Sequence, residues 1–239
     1  EKDNDIKLKK VLSAKELFKS IMKTQLETGM PYIFFKDRAN EVNHNSHMGM
    51  IGNGNLCMES FSNFKPTINF VEEEDGNTSI RKSEMGEIHT CNLISLNLAE
   101  LTSDELEKHV ALAVRALDNT IDLTVTPLKE SNKHNLMYRT IGVGAMGLAD
   151  YLAREYMIYE ESINEINELF ERIALYSIKA SALLAKDRGA YKAFKGSKWD
   201  QAIFFGKKRE WYEANSKFKD EWNEAFYLVE ANGLRNGEL

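Results

Sequence analysis

Apolar residues recur at helical spacing in several separate stretches, and between them lie short aromatic and β-branched runs such as Tyr32-Ile33-Phe34-Phe35. That alternation admits few folds: long amphipathic helices laid against short strands, an α/β chain. Ser13 and Glu16 form a capping box ahead of Leu17, Phe18, Ile21, Met22 and Leu26, with Gly29 as the stop, which predicts a helix over 13–29. Thr102 and Glu105 open a second over 102–121, carried by Leu106, Val110, Ala113, Val114, Leu117 and Ile121. A third is expected over 147–156. A long fourth, 162–188, runs from the Ser162 and Glu165 box through Ile166, Leu169, Phe170, Ile173 and Leu183 to Gly189, and a last covers 220–232 before Gly233. Between them, Tyr32-Ile33-Phe34-Phe35 reads as a buried strand, 55–61 as an extended active segment and 87–98 as another strand.

The stretch 38–54, rich in Asn, His, Gly and Met, has no period and is expected to be a loop, while 72–77 reads as the charged tip of an exposed hairpin. With no internal repeat and no linker, residues 1–239 are expected to form a single α/β segment. A hydrophobic share of 43% with 28% charged residues is globular and excludes collagenous or disordered classes. No apolar run approaches the roughly 18 residues of a membrane span. A net charge of −6 without a basic block argues against a nucleic-acid polymer as partner. Two cysteines in 239 residues suggest a reducing, cytoplasmic setting. The opening Glu1-Lys2-Asp3-Asn4-Asp5 lacks an initiator Met and a signal-peptide plan, so the chain is expected to be a segment of something longer.

The densest group of reactive side chains is Asn55-Leu56-Cys57-Met58-Glu59. On an extended backbone Asn55, Cys57 and Glu59 would share one face, placing a thiol between an amide and a carboxylate. The same residues also suit a plain reading, in which Cys57 is a small buried apolar side chain, Glu59 faces solvent and Asn55 sits in a turn. The Gly-rich approach, 49–54, and the similar setting of the second cysteine, His89-Thr90-Cys91-Asn92-Leu93, favour chemistry.

At these residues the sequence resembles a known family, the large catalytic subunits of ribonucleotide reductase. Asn55-Leu56-Cys57-Met58-Glu59 matches the family's N-x-C-x-E pattern, and Cys91-Asn92-Leu93 with Ser95-Leu96-Asn97-Leu98 resembles its second cysteine segment. Arg139-Thr140-Ile141-Gly142-Val143-Gly144-Ala145-Met146-Gly147-Leu148-Ala149-Asp150, the stretch from Ala180 to Gly189, and Gly233-Leu234-Arg235-Asn236 continue the match in order. The resemblance implies part of a ten-stranded α/β barrel with a central finger loop, and a thiyl-radical reduction of ribonucleotides to 2′-deoxyribonucleotides. In it Cys57 would be the radical cysteine, Glu59 the base on the 3′-hydroxyl, Asn55 a substrate-holding amide and Cys91 one of two cysteines oxidised to a disulfide.

The resemblance further implies no cofactor bound by this chain. A separate metal-containing small subunit would supply the radical, a thioredoxin- or glutaredoxin-type dithiol the electrons, and ATP or dNTP effectors would bind elsewhere. Partners would be the remaining segments of the large subunit, with a homo-oligomer when complete. The upstream partner of Cys91, the Tyr-Tyr relay, the phosphate-binding loop and the C-terminal cysteine pair are absent from these 239 residues. The chain alone is therefore not expected to turn over. Gly54 and Ser60 depart from the pattern, where serine and an aliphatic residue are common.

Other readings compete. Cys57 activated by a histidine would be an acyl-transfer nucleophile, and a non-catalytic piece completing a larger subunit would need no chemistry at all. Gly142-Val143-Gly144-Ala145-Met146-Gly147 satisfies G-x-G-x-x-G, but the polar residues before it do not read as the buried strand a dinucleotide site needs, so a Gly-rich lead into a helix is expected. His44, His47, His89 and Cys91 lack the spacing of a zinc site.

Overall fold

The structure, a computed structural model, describes residues 10–73 and 79–239. Two compact units divide the chain, residues 1–35 and 36–239, in place of the single segment expected from the sequence. The first unit contains helix α1, Ala14–Thr28, ended by Gly29 at φ 74°. Ser13 makes no side-chain capping bond, and α1 buries no residue. The strand expected at 32–35 is irregular backbone, and no strand among the described residues pairs with it, as a ladder would require.

The second unit opens with α2, Lys36–Val42, inside the stretch read as a loop. Its Asn-rich continuation is held by side-chain amides standing in for a backbone ladder. Asn40 both donates to Ile51 O and accepts from Ile51 N, each at 2.9 Å. Asn45, fully buried, accepts from the Tyr191 hydroxyl at 2.8 Å and donates to Gly237 O at 3.2 Å. Beyond Val42 the stretch is irregular apart from a 3-10 turn at Ser46–Met48, as expected, and asparagine side chains supply the bonds a ladder would.

Strands β1 (Ile68–Glu73) and β2 (Ser79–Glu84) pair antiparallel, from Ile68 opposite Glu84 to Glu73 opposite Ser79. The charged turn expected at 72–77 falls largely on 74–78, outside the described residues. Strand β3 is Leu93–Asn97, the last part of the expected 87–98; before it Glu87 makes only an isolated antiparallel bridge to Lys65 and Asn92 holds to Thr140 O through its side chain. It pairs in parallel with β4, Gly142–Met146, from Leu93 opposite Gly142 to Asn97 opposite Met146. The Gly-rich stretch is thus a strand and not a helix lead-in. Gly147 then turns the chain at φ 73°, where a Cβ would lie 2.5 Å from Asn97 Oδ1, so only glycine fits this approach. Among the described residues these two strands do not close a barrel.

Helices α3 (Leu106–Leu123) and α4 (Lys129–Tyr138) connect β3 to β4, and α5 (Leu148–Arg154), α6 (Ile163–Arg188), α7 (Arg209–Asn215) and α8 (Lys219–Asn232) follow. α3 starts four residues later than expected because Thr102 and Glu105 satisfy each other in a turn, hydroxyl to carboxylate at 2.8 Å. α4 and α7 carry no apolar period and were not expected. α6 separates two cores. Leu169, Ile173, Ala180 and Leu184 face a cluster with Val110, Val114, Leu117 and Ile141, while Leu175, Ile178 and Ala182 face an aromatic cluster of Tyr138, Trp199, Phe204, Trp222 and Phe226. Phe170 and Leu183, expected inside, are half exposed, because burying two other faces of the helix leaves this one to solvent.

One buried carboxylate joins these layers. Asp118 of α3, fully buried, receives Arg139 Nε at 2.8 Å, Arg188 Nη1 at 2.8 Å and Arg235 Nε at 3.3 Å. Arg139 also forks onto Asp122 at 2.8 and 2.9 Å. Asn236 closes the cluster by donating to Arg139 O at 3.1 Å and accepting from Ser181 Oγ at 3.0 Å. Removing one partner of such a set strands buried charge. Asp118→Asn is expected to cost about 3 kcal/mol in urea unfolding, whereas Asp122→Asn, with a side chain 45% exposed, costs under about 1 kcal/mol. Equal losses would contradict the assignment of Asp118 as the hub.

Candidate active site

Residues 55–60 form a closed turn rather than the extended segment expected from the sequence. Asn55 N donates to Ser60 O at 3.1 Å, Ser60 N to Asn55 Oδ1 at 3.1 Å, and Met58 N to Asn55 O at 3.2 Å. Met58 takes φ 62°, which breaks the alternation of faces on which the sequence reading relied. Gly54 allows the turn to sit close to its own stem: a Cβ there would lie 2.7 Å from Phe61 Cε1. Its departure from the family's serine thus has a steric reason.

The turn still gathers three of the four residues singled out, by another route. The Asn55 amide nitrogen donates to Glu59 Oε1 at 2.6 Å and approaches Cys91 Sγ at 2.9 Å. Asn55 thereby bridges carboxylate and thiol from opposite ends of the sequence motif pair. Cys57 sits exposed at the tip beside Leu56, which is 89% exposed, and Cys91 is exposed as well. Of the plain reading, the buried Cys57 does not hold, whereas Glu59 is exposed and Asn55 does sit in a turn, whose amide also reaches Glu59 and Cys91.

Cys91 is set by the segment leading into β3. Asn92 donates to Thr140 O at 3.0 Å and accepts from Gly142 N at 2.9 Å, fixing this segment against the start of β4. Thr90 donates to Asn135 at 2.7 Å. Below, His89 Nε2 lies 2.7 Å from Ser60 Oγ, and the His134 ring packs on it at 5.0 Å between centroids. His134 in turn meets Ser62 at 3.1 Å. Sequence reasoning missed Ser60, His134 and Asn135, and only the polar character of α4 at buried positions could have pointed to the last two.

Glu59 and Leu93 stand between two cavities. One, of about 340 Å³, is walled by Ile51, Phe61, Ile141 and Trp199; the other, of about 380 Å³, runs along Ile94, Ser95 and Gly144. Gly142 and Gly144 of the G-x-G-x-x-G motif line this second cavity as strand residues.

The histidines do not serve Cys57. His44 stacks on Trp199 at 3.8 Å and accepts from Phe205 N at 3.1 Å, while His89 and His134 engage serines. None of them bonds to the thiol, so an acyl-transfer dyad lacks its base. Burial lowers His44 to about 3, His89 to about 4 and His134 to about 3. Their NMR resonances are therefore expected to stay flat from pH 8 to 5.5, and a midpoint near 6.5 for any of them would contradict this placement.

The family model described as "Ribonucleotide reductase, barrel domain" matches residues 1–239. A ribonucleoside-diphosphate reductase subunit alpha from Synechocystis is 44% identical over 238 residues, covering 99% of this chain and 29% of that protein. Subunits of the same name from Helicobacter pylori (strain 26695) and Treponema pallidum are 35% and 36% identical, with 100% and 97% of this chain covered and 36% and 28% of theirs. The chain thus spans about a third of the length of the relatives it matches. On its sequence, its site and these comparisons, the chain belongs to the ribonucleotide reductase barrel-domain family.

Proposed function

We propose that the chain forms the catalytic core of a ribonucleoside-diphosphate reductase and carries its radical cysteine, completed by further segments of the same subunit. The observation that carries this reading is the Asn55 amide joining Glu59 and Cys91 at the turn whose tip is Cys57. A thiyl radical at Cys57 Sγ takes the 3′ hydrogen of the ribose. Glu59 then accepts the 3′-hydroxyl proton, and the 2′-hydroxyl leaves as water with a proton given by the reducing dithiol. Two electrons come from Cys91 and a second cysteine outside these residues, leaving a disulfide, and Cys57 returns its hydrogen to C3′. The balance is one ribonucleotide and one dithiol giving one deoxyribonucleotide, one disulfide and one water.

The fold supports the division of labour. Asn55 holds Glu59 and Cys91 to one side of a turn, so the base and a reducing thiol approach the same sugar. The largely apolar cavities beside Glu59 and Leu93 offer room for a substrate next to the proposed base. A radical-generating small subunit, a dithiol reductant and effector nucleotides bound elsewhere complete the proposal, as does a homo-oligomeric, cytoplasmic whole. No helix among the described residues is long and apolar enough to cross a membrane.

The test mixes this chain with polypeptides covering the rest of the subunit, a radical-generating subunit and a dithiol, and measures deoxyribonucleotide formation. Activity is expected only on mixing, is lost in Cys57→Ser, and falls about 10²- to 10⁴-fold in Glu59→Gln. Folded, associating components with no activity, or a Cys57→Ser variant that still turns over, would overturn the proposal in favour of a structural piece.

A further inference from the structure

The turn 55–60 is tied to the rest of the fold by Asn55 onto Cys91 and by a second link that the chemistry above does not use. Ser60 Oγ lies 2.7 Å from His89 Nε2, and Thr140 Oγ1 lies 3.4 Å from His89 Nδ1. The imidazole is held from below by the His134 ring at 61° to it. Burial keeps it neutral, against the pull of nearby Glu59. A neutral imidazole has one donor and one acceptor nitrogen, so it can serve both hydroxyls at once.

Ser60 is the residue through which that hold reaches the reactive groups. Its N–H donates to Asn55 Oδ1 and its carbonyl accepts from Asn55 N, both at 3.1 Å. Asn55 then bonds Glu59 and Cys91 through its other side-chain atom. His89 lies two residues before Cys91, so the segment that carries one reactive thiol also anchors the turn that carries the other.

We propose that His89 is a positioning residue for the reactive turn: by anchoring Ser60 it fixes Asn55, and so sets the placement of the Glu59 carboxylate against the Cys91 thiol. The side chain touches no substrate and moves no proton. This rests on the reading of Asn55, Cys57 and Glu59 as reactive groups, but the order of the turn can be measured without turnover.

Amide hydrogen exchange of this chain, read by NMR, gives that measurement. In wild type the Asn55 and Ser60 amides are protected by their mutual bonds. His89→Asn is too short to reach Ser60 and is expected to lower protection at both about five- to tenfold. Protection at Leu117 of α3 and Ile178 of α6 stays unchanged. His89→Gln, whose amide reaches the position of Nε2, restores the two turn amides, and Ser60→Ala reproduces the loss with nothing added in the double variant. In the assembled enzyme, His89→Asn lowers kcat with KM kept, and His89→Gln recovers it. Unchanged turn protection in His89→Asn, loss spread equally to α3 and α6, or failure of His89→Gln to restore would overturn the proposal. An assembled enzyme inactive even with wild-type His89 would instead strike the functional reading and leave the exchange data to decide the positioning role.

Discussion

The Asp118 carboxylate is the point at which this fold is pinned. It takes guanidinium groups from the end of α4, the end of α6 and the segment after α8, so four parts distant in sequence meet on two oxygen atoms. A buried carboxylate pays a large desolvation penalty, and only a full set of partners offsets it. Arg139 shows how the backbone serves this demand: it adopts φ 49°, ends α4 with its N–H on Asn135 O, and aims its guanidinium back at α3. The left-handed turn that frees Arg139 also starts the run into β4.

From that pin the candidate site follows in short steps. Arg139 fixes Thr140 and Ile141; Thr140 O and Gly142 N grip Asn92; Asn92 holds Cys91 at the mouth of β3. The turn 55–60 is then brought to Cys91 by Asn55 and to His89 by Ser60. Neither reactive segment is regular structure, and both owe their placement to polar bonds between loops rather than to a sheet. Such loops gain precision only from the rigid helices beneath them. The two cores flanking α6 supply that rigidity, with Trp199 and Phe226 on one side and Val110 and Leu117 on the other.

How much of this was legible in the sequence depends on which force built each part. α3, α6 and α8 were legible because hydrophobic burial leaves a 3.6-residue period, as in Leu106, Val110, Ala113, Val114 and Leu117. α4 was not, because the residues it buries, Ser131, His134, Asn135 and Tyr138, are mostly polar and serve the site. The Asp118 cluster was equally hidden: single charges on helices read as solvent-facing until residues 118, 139, 188 and 235 are brought together. Of the residues singled out, Asn55 comes together with Glu59 and Cys91, but by a different geometry from the one expected. A left-handed Met58 makes the motif a turn, and its side chains meet through hydrogen bonds instead of strand alternation. His89 entered the sequence reading as a decoy metal ligand and emerges as a partner of Ser60.

The central claim is that Cys57 and Cys91 belong to one substrate site. Differential alkylation of the assembled enzyme, read by mass spectrometry at each cysteine, tests it most directly. The account predicts that a saturating ribonucleoside diphosphate slows alkylation of both thiols together, and that inorganic phosphate alone slows neither. Cys57 alkylated at the same rate with and without the nucleotide would contradict it.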